Sequence, residues 1–195
     1  MTKIIKLFAN LATEEEVTNA EFQKHKVPLS EFVLELSIAV SKSSLADNEE
    51  FILNAVSCIT NILYYDTAQS PILTPESRSQ VFACVKKYLL ETKNDEIQIE
   101  TVRVLSNLSR HASFCENDFH NDKGFLEAIV IVLENTLRDL VFYSVGILIN
   151  MSLHSSVNEY LLECNLIMKL VDVLKDSNIE DMDLARVAAK ALHNL

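Results

Sequence analysis

Apolar residues return at the same offsets around an asparagine in five segments: KIIKLFANLA, NAVSCITNILYY, ETVRVLSNLSRH, YSVGILINMSLH and RVAAKALHNL. The aligned asparagines are Asn10, Asn61, Asn107, Asn150 and Asn194, 43 to 51 residues apart. Five residues earlier stand Ile5, Val56, Val102, Val145 and Ala189, and three earlier Leu7, Cys58, Val104, Ile147 and Ala191. Two before the Asn come Phe8, Ile59, Leu105, Leu148 and Leu192, and one after it Leu11, Ile62, Leu108, Met151 and Leu195. On a helix these offsets cover most of the circumference, so each helix is sandwiched between neighbours. Only a narrow strip, holding the Asn and the residue four before it, is left for solvent. A period of this size in an all-helical chain predicts a helical solenoid, which works by presenting an elongated concave face.

The other elements follow from breakers and caps. Residues 1–12 read as the last helix of a first repeat, and 13–25 as a polar connection. Pro28 in a first turn opens PLSEFVLELSIAVSK, and residues 45–65 carry the second Asn helix. Pro71 and Pro75 break the next connection, and Thr74 caps a helix running through QVFACVKKYLL. Asn94 caps the third Asn helix. Residues 112–121 form a short helix or turn, Gly124 precedes FLEAIVIVLEN, and 136–153 form the fourth Asn helix. The last unit repeats the order with VNEYLLEC, LIMKLVDVLKD and a final helix capped by Asn178 and Asp181. A short, a medium and a long helix make the unit, dividing the chain into repeats 13–65, 66–111, 112–154 and 155–195. No strand is expected, and Asn61, Asn107 and Asn150 should lie in a row on the concave side. Met1 opens inside a third helix and Leu195 closes at the repeat signature, without polar caps. This predicts a piece of a longer array that self-associates through its apolar ends.

Composition narrows the function. Two Gly and three Pro are too few for a sheet with many tight turns, and 49% apolar residues supply an ample core. The net charge of −11 argues against nonspecific nucleic-acid binding and against an anionic membrane surface. The longest uncharged stretch, 140–153, is too short to span a membrane. Cys58, Cys84, Cys115 and Cys164 form no C-x-x-C pair and read as reduced, mostly buried thiols. There is no phosphate loop, zinc-helix motif or nucleophile elbow. The five His are scattered, and His120 with Asp118 and Asp122 reads as a solvated loop. No catalytic set, cofactor or metal is expected. Acidic clusters at 14–16, 47–50 and 180–183 sit at helix starts, where they suit the helix dipole.

ALHNL, VLSNLS and ANLA resemble the third-helix signature of armadillo repeats, and LLECNLIMKLVDVLKD is similar to a first helix running into a second. Asn165 then occupies a place where the family often has Gly, and Asn tolerates the left-handed conformation. Gly124 fills the equivalent place one unit earlier. The resemblance implies an all-α, right-handed armadillo-type solenoid of stacked three-helix repeats. From about Phe51 to Leu195, FILNAVSCITNILYY, ETVRVLSNLS, VFYSVGILINMSL and KLVDVLKD resemble consecutive segments of one family member. That resemblance implies a cytoplasmic, ciliary or flagellar adaptor in axoneme assembly, with axonemal or transport components as partners. The alternative is a general cytosolic or junctional signalling scaffold.

The resemblance also implies a site. Armadillo proteins commonly bind an extended peptide along the groove, with the third-helix Asn bonding its backbone; Asn suits this because its amide offers donor and acceptor. Here that assigns Asn61, Asn107, Asn150 and Asn194. The plainer alternative is that some of these Asn bond within the solenoid. Nuclear-import adaptors carry a Trp four residues before the Asn, where this chain has Lys6, Ser57, Arg103, Gly146 and Lys190, and no Trp at all. Recognition of nuclear localisation signals is therefore not expected. The strip instead carries Arg103, Arg110 and Lys190, with Tyr65, His111 and His154 beside them. That pattern suits an acidic and aromatic peptide, against the alternative that scattered cations merely solvate a helix face.

Overall fold

The computed structural model describes residues 9–10, 28–177 and 181–195. Of the expected opening helix and polar connection, only the helical Ala9 and Asn10 fall within this range, and Asn178 lies outside it. Helices α1 to α11 are Leu29–Lys42, Leu45–Tyr64, Pro75–Val85, Tyr88–Glu91, Asp95–Leu108, Ala112–Phe114, Lys123–Val132, Arg138–Met151, Ser155–Glu163, Leu166–Asp176 and Met182–Asn194. A π-helical turn, Cys115–Phe119, follows α6 directly. Among the described residues there is no strand. The chain divides into two compact units, Met1–Leu108 and Ser109–Leu195.

In the first unit α2 is the central element, and it packs most extensively on α5 and also on α1. Val56, Cys58, Ile59 and Ile62 are all buried on it, as are Val102, Val104, Leu105 and Leu108 on α5. The four repeat offsets therefore mark core positions on both helices, the condition of a helix covered on several sides. Asn48 departs from helical geometry (φ −135°, ψ 24°) and bends the entry to α2. The C-terminal carbonyls of α1, which have no partner within their own helix, receive bonds from outside. The Tyr88 hydroxyl donates to the Val40 carbonyl (2.6 Å) and Lys87 Nζ to that of Ser41 (2.8 Å). Burial, reinforced by Glu91 and Cys84, pushes the Tyr88 phenol up to about 12.

The helix expected through QVFACVKKYLL is instead two. α3 begins at Pro75 under a Thr74 cap, the hydroxyl accepting from Ser77 N at 3.2 Å, but ends at Val85. Lys86 and Lys87 keep helical φ and ψ but separate α3 from α4, and Lys87 and Tyr88 bond to α1. Asn94 accepts from Ile97 N at the start of α5. The connection before α3 has no short helix. Asp66 organises it: Oδ1 accepts from Ile72 N (2.6 Å) and Leu73 N (3.3 Å), and the carboxylate takes a two-pronged bond from Arg78 Nε (3.0 Å) and Nη2 (3.1 Å). Both side chains are nearly sealed from solvent, at 6% and 2% exposure for Arg78 and Asp66.

The second unit shows two short–medium–long triplets: α6 with the π turn, α7 and α8, then α9, α10 and α11. The wide π turn brings buried Phe119 against Phe114 (4.7 Å between ring centres) and Phe125 (4.5 Å). α10 buries Leu166, Leu170 and Val173, and α11 buries Leu184, Ala188 and Ala191. These are single stripes at spacings of three to four residues, and the two helices pack together. Ala189 is exposed, and Leu192 and Leu195 are partly so. Asn165 enters α10 in the left-handed conformation (φ 64°, ψ 29°), as expected of a Gly substitute. Gly124 does not play that part. It lies inside α7 without a positive φ, and Asp122, whose carboxylate accepts from Phe125 N at 3.0 Å, starts that helix.

Asp181 starts α11 in the same way, accepting from Leu184 N, and takes two bonds of 2.8 Å from Arg138 at the start of α8. The bonds from the Arg138 guanidinium foremost, opposed by desolvation and helped by the Leu184 amide, hold the Asp181 carboxyl below its ordinary 3.8.

Two predictions follow from these contacts. Asp66→Ala should cost about 3–5 kcal/mol of unfolding free energy, because it leaves a buried guanidinium and two amides without their acceptor. The double variant Asp66→Leu/Arg78→Met should recover the guanidinium's share of that loss in the same denaturant titration, the two amides still lacking their acceptor. A loss below about 1 kcal/mol for the single variant would show that the pair does not hold the connection. The second prediction concerns acid. A carboxyl depressed by folding stabilises the fold above its unfolded value, and that contribution disappears as pH falls through the depressed value. The midpoint difference between wild type and Asp181→Asn should therefore be constant at neutral pH and shrink below 3.8. A difference independent of pH would overturn this linkage.

Candidate functional site

The repeat asparagines emerge at the C-terminal turns of α2, α5, α8 and α11, and on α2, α5 and α8 all four apolar offsets around them are taken by core packing. All four are half-buried. In each, the amide nitrogen donates to the preceding Asn-bearing segment. Asn61 reaches the Ala9 carbonyl (2.9 Å), Asn107 the Thr60 carbonyl (3.1 Å) and Asn194 the Ile149 carbonyl (3.2 Å). Each acceptor stands one residue before the previous asparagine of the series. Asn150 differs, donating to the Ser109 hydroxyl (2.9 Å), two residues after Asn107. The alternative in which these side chains bond within the solenoid is thus what their nitrogens do. Asn107 is placed beside Asn61 in the first unit, and Asn194 beside Asn150 in the second.

The bond fixes each amide in one orientation. An Asn amide has two N–H donors and a carbonyl with two lone pairs, and each bond named here uses one of those donors. Thr60 strengthens the α2–α5 contact further: its hydroxyl bonds the Val56 carbonyl (3.0 Å) within α2 and the Glu100 carbonyl (3.2 Å) on α5.

The cationic candidates are placed unequally. Arg103 is partly buried, and its Nη1 donates to Glu100 one helical turn back at 2.6 Å. Glu100 is only 14% exposed, with its second oxygen buried and lacking a bonding partner among the described residues. Arg103 therefore neutralises a largely buried carboxylate. Arg110, in the turn after α5, and Lys190, on α11, are exposed. Tyr65 ends α2, half-buried, and its ring meets exposed Tyr64 edge to face at 5.2 Å.

His111 and His154 occupy the same place in successive triplets, the residue before the short first helix. His111 is 8% exposed, and its carbonyl accepts from Phe114 N and Cys115 N. His154 is half-buried, with Nδ1 3.2 Å from Glu116 Oε1. Both therefore help shape the turn after the Asn helix. The same turn carries a repeated serine, Ser109 and Ser152, both buried. Six residues on from each, a side chain donates to its carbonyl: Cys115 Sγ to Ser109 (3.1 Å) and Asn158 Nδ2 to Ser152 (3.0 Å).

Chemistry at the thiols is suppressed. Burial foremost, with Glu116 and Asp118 adding at Cys115, pushes Cys58 and Cys115 up to about 12. Among the described residues no group of His, Cys, Asp or Glu is arranged to hold a metal ion. No described helix is long and apolar enough to cross a membrane.

Sequence reasoning missed the ladder's acceptors. Ala9, Thr60 and Ile149 contribute a backbone carbonyl, which any residue would supply and no motif reveals. The serine two residues after the Asn in two repeats was a signal that was available.

No family model matches the chain. It is 30% identical over 195 residues to armadillo repeat-containing protein 2 of Bos taurus, covering 100% of this chain and 21% of that protein. The Mus musculus protein of the same name is 31% identical over 155 residues, covering 80% and 18%. The chain thus spans about a fifth of the length of these relatives. Among solved structures, a designed armadillo repeat protein matches 99% of this chain and 74% of its own at a TM-score of 0.72 and 18% identity. Another, a designed armadillo repeat protein in complex with peptide (KR)4, matches 97% and 73% at a TM-score of 0.71 and 17% identity. The asparagine helices, the three-helix triplets and these likenesses agree: the chain has the armadillo-repeat fold.

Proposed function

We propose that the chain is a non-enzymatic binding adaptor that takes an extended peptide on the surfaces bearing Asn61 and Asn107 in the first unit and Asn150 and Asn194 in the second. Cilia and sperm flagella are its place of action, and axoneme assembly or transport components are its partners. The observation that carries the binding mode is the repeated orientation of the asparagine amides. A side chain already held on one side by its neighbour loses little freedom when it bonds a ligand on the other. The designed armadillo protein with a bound peptide and the chain's likeness to armadillo repeat-containing protein 2 support the reading.

Arg110 and Lys190 are the cations that select an acidic or aromatic partner, being exposed and on the helices and turns that carry the asparagines. Tyr65 and His154 border the same turns. Arg103 and His111 act more by shaping the surface, given their bonding and burial.

Charge reversal of the exposed pair, Arg110→Glu/Lys190→Glu, should leave melting nearly unchanged, within about 1 kcal/mol. It should weaken an acidic partner by roughly 2 kcal/mol or more, since an attractive contact becomes repulsive. A pull-down from ciliated cells, read by mass spectrometry, should recover axonemal or transport proteins with the wild type and lose them with this variant. Recovery of junctional proteins alone would overturn the ciliary assignment, and equal recovery by both chains would move the site elsewhere.

The asparagines give a second test. Asn107→Ala should cost about 1 kcal/mol of stability through the lost bond to Thr60. Asn107→Asp should cost more, because it sets a carboxylate against that carbonyl. If calorimetry found both variants as stable as wild type, the amide would not hold α5 on α2.

A further inference from the structure

The asparagines occupy the C-terminal ends of α8 and α11. The opposite ends of these two helices, with the C-terminal half of α10 and the loop after α7, enclose a cleft of about 620 Å³. From Arg138 to Asn150 along α8 is twelve residues, or about 18 Å at 1.5 Å per residue. The cleft is therefore a separate place from the peptide surface proposed above.

Its floor is apolar: Leu133, Val141, Val173 and Leu184 line it, each less than 10% exposed. Its two cations are already engaged. Arg138 is held by Asp181 and Asp139, and Lys169 by Glu134. What remains at the mouth is negative. Asp172 has only an exposed partner one turn along its own helix, Lys175. Asp176 has no cationic partner among the described residues. Counting every lining side chain, four carboxylates face two cations.

An apolar floor beneath a carboxylate mouth is the complement of an amphipathic cation. Lysine and arginine lay their methylene stems on apolar surface and keep the charged head at its polar edge. The volume lies in the range of sites that enclose a small ligand or a few residues of peptide, larger than one side chain needs. We propose that this cleft is a second recognition site, for a short basic–apolar peptide segment whose Lys or Arg heads pair with Asp172 and Asp176.

The test uses the whole 195-residue chain and a fluorescein-labelled hexapeptide, Gly-Leu-Lys-Leu-Arg-Gly, with a Glu-for-Lys/Arg version as its acidic counterpart. In fluorescence anisotropy at physiological salt, Asp172→Lys/Asp176→Lys should weaken the basic peptide at least tenfold. These residues end α10, where lysines suit the helix dipole, so the melting curve should be retained. A control pair, Glu159→Lys/Glu163→Lys, makes the same change in net charge on exposed positions of α9. It should weaken binding less than threefold. In methyl-labelled NMR, shifts should centre on Leu133, Val141, Val173 and Leu184. The proposal is overturned if the control pair weakens the peptide as much as the cleft pair, which would mean binding to net charge alone. It also fails if the acidic peptide binds equally well, or if the methyl shifts fall elsewhere.

Discussion

Everything in this fold depends on a helix that cannot stand alone. α2 and α5 bury residues at every one of the four repeat offsets, so neither has a face to turn to water except the strip at the asparagine. An amphipathic helix needs one apolar neighbour, whereas these need several, and only stacking supplies them. Apolar contact is non-directional, however, and would tolerate sliding along the helix axis. The asparagine bonds remove that freedom, because a donor and an acceptor at about 3 Å define a single register. Burial thus makes the stack cohere, and the amides decide where it stops.

The polar interior follows the same division. Buried polar groups are costly unless they are bonded, and here they appear where a regular helix is interrupted. Asp66 and Arg78 replace a missing short helix with a stapled loop. Tyr88 and Lys87 close the open end of α1 from the start of α4. Asp181 starts α11 and ties it to the start of α8 through Arg138. Each of these groups serves two elements, so connections that would otherwise be loose are fixed from both sides.

How much of this could be read from the chain depended on whether the signal was local. The core offsets around Asn61, Asn107 and Asn150, the Thr74 and Asn94 caps and the left-handed Asn165 were all visible, since each rests on a side chain acting on its own helix. The break after Val85 was not, because QVFACVKKYLL has good helical propensity and Lys86 and Lys87 keep helical φ and ψ between the two helices. Gly124 misled because a glycine near a helix start was read as a left-handed turn, whereas Asp122 already capped that helix. The candidate site was legible as a set of positions, but not as a bonding pattern. Nothing in the residue types tells the partly buried Arg103, bonded to Glu100, from the more exposed Arg110 and Lys190.

The ladder has a consequence for how such a chain can change. In three of its four rungs the receiving group is a peptide carbonyl, present whatever amino acid sits there. Only the donor is encoded, and each repeat carries its own. A repeat duplicated, deleted or moved by recombination therefore brings its half of the connection along and finds the other half waiting. The rung from Asn150 is the exception, since it asks its neighbour for a hydroxyl at Ser109. Gene rearrangement can pass freely across the other joints, while at this one the two sides must be inherited together.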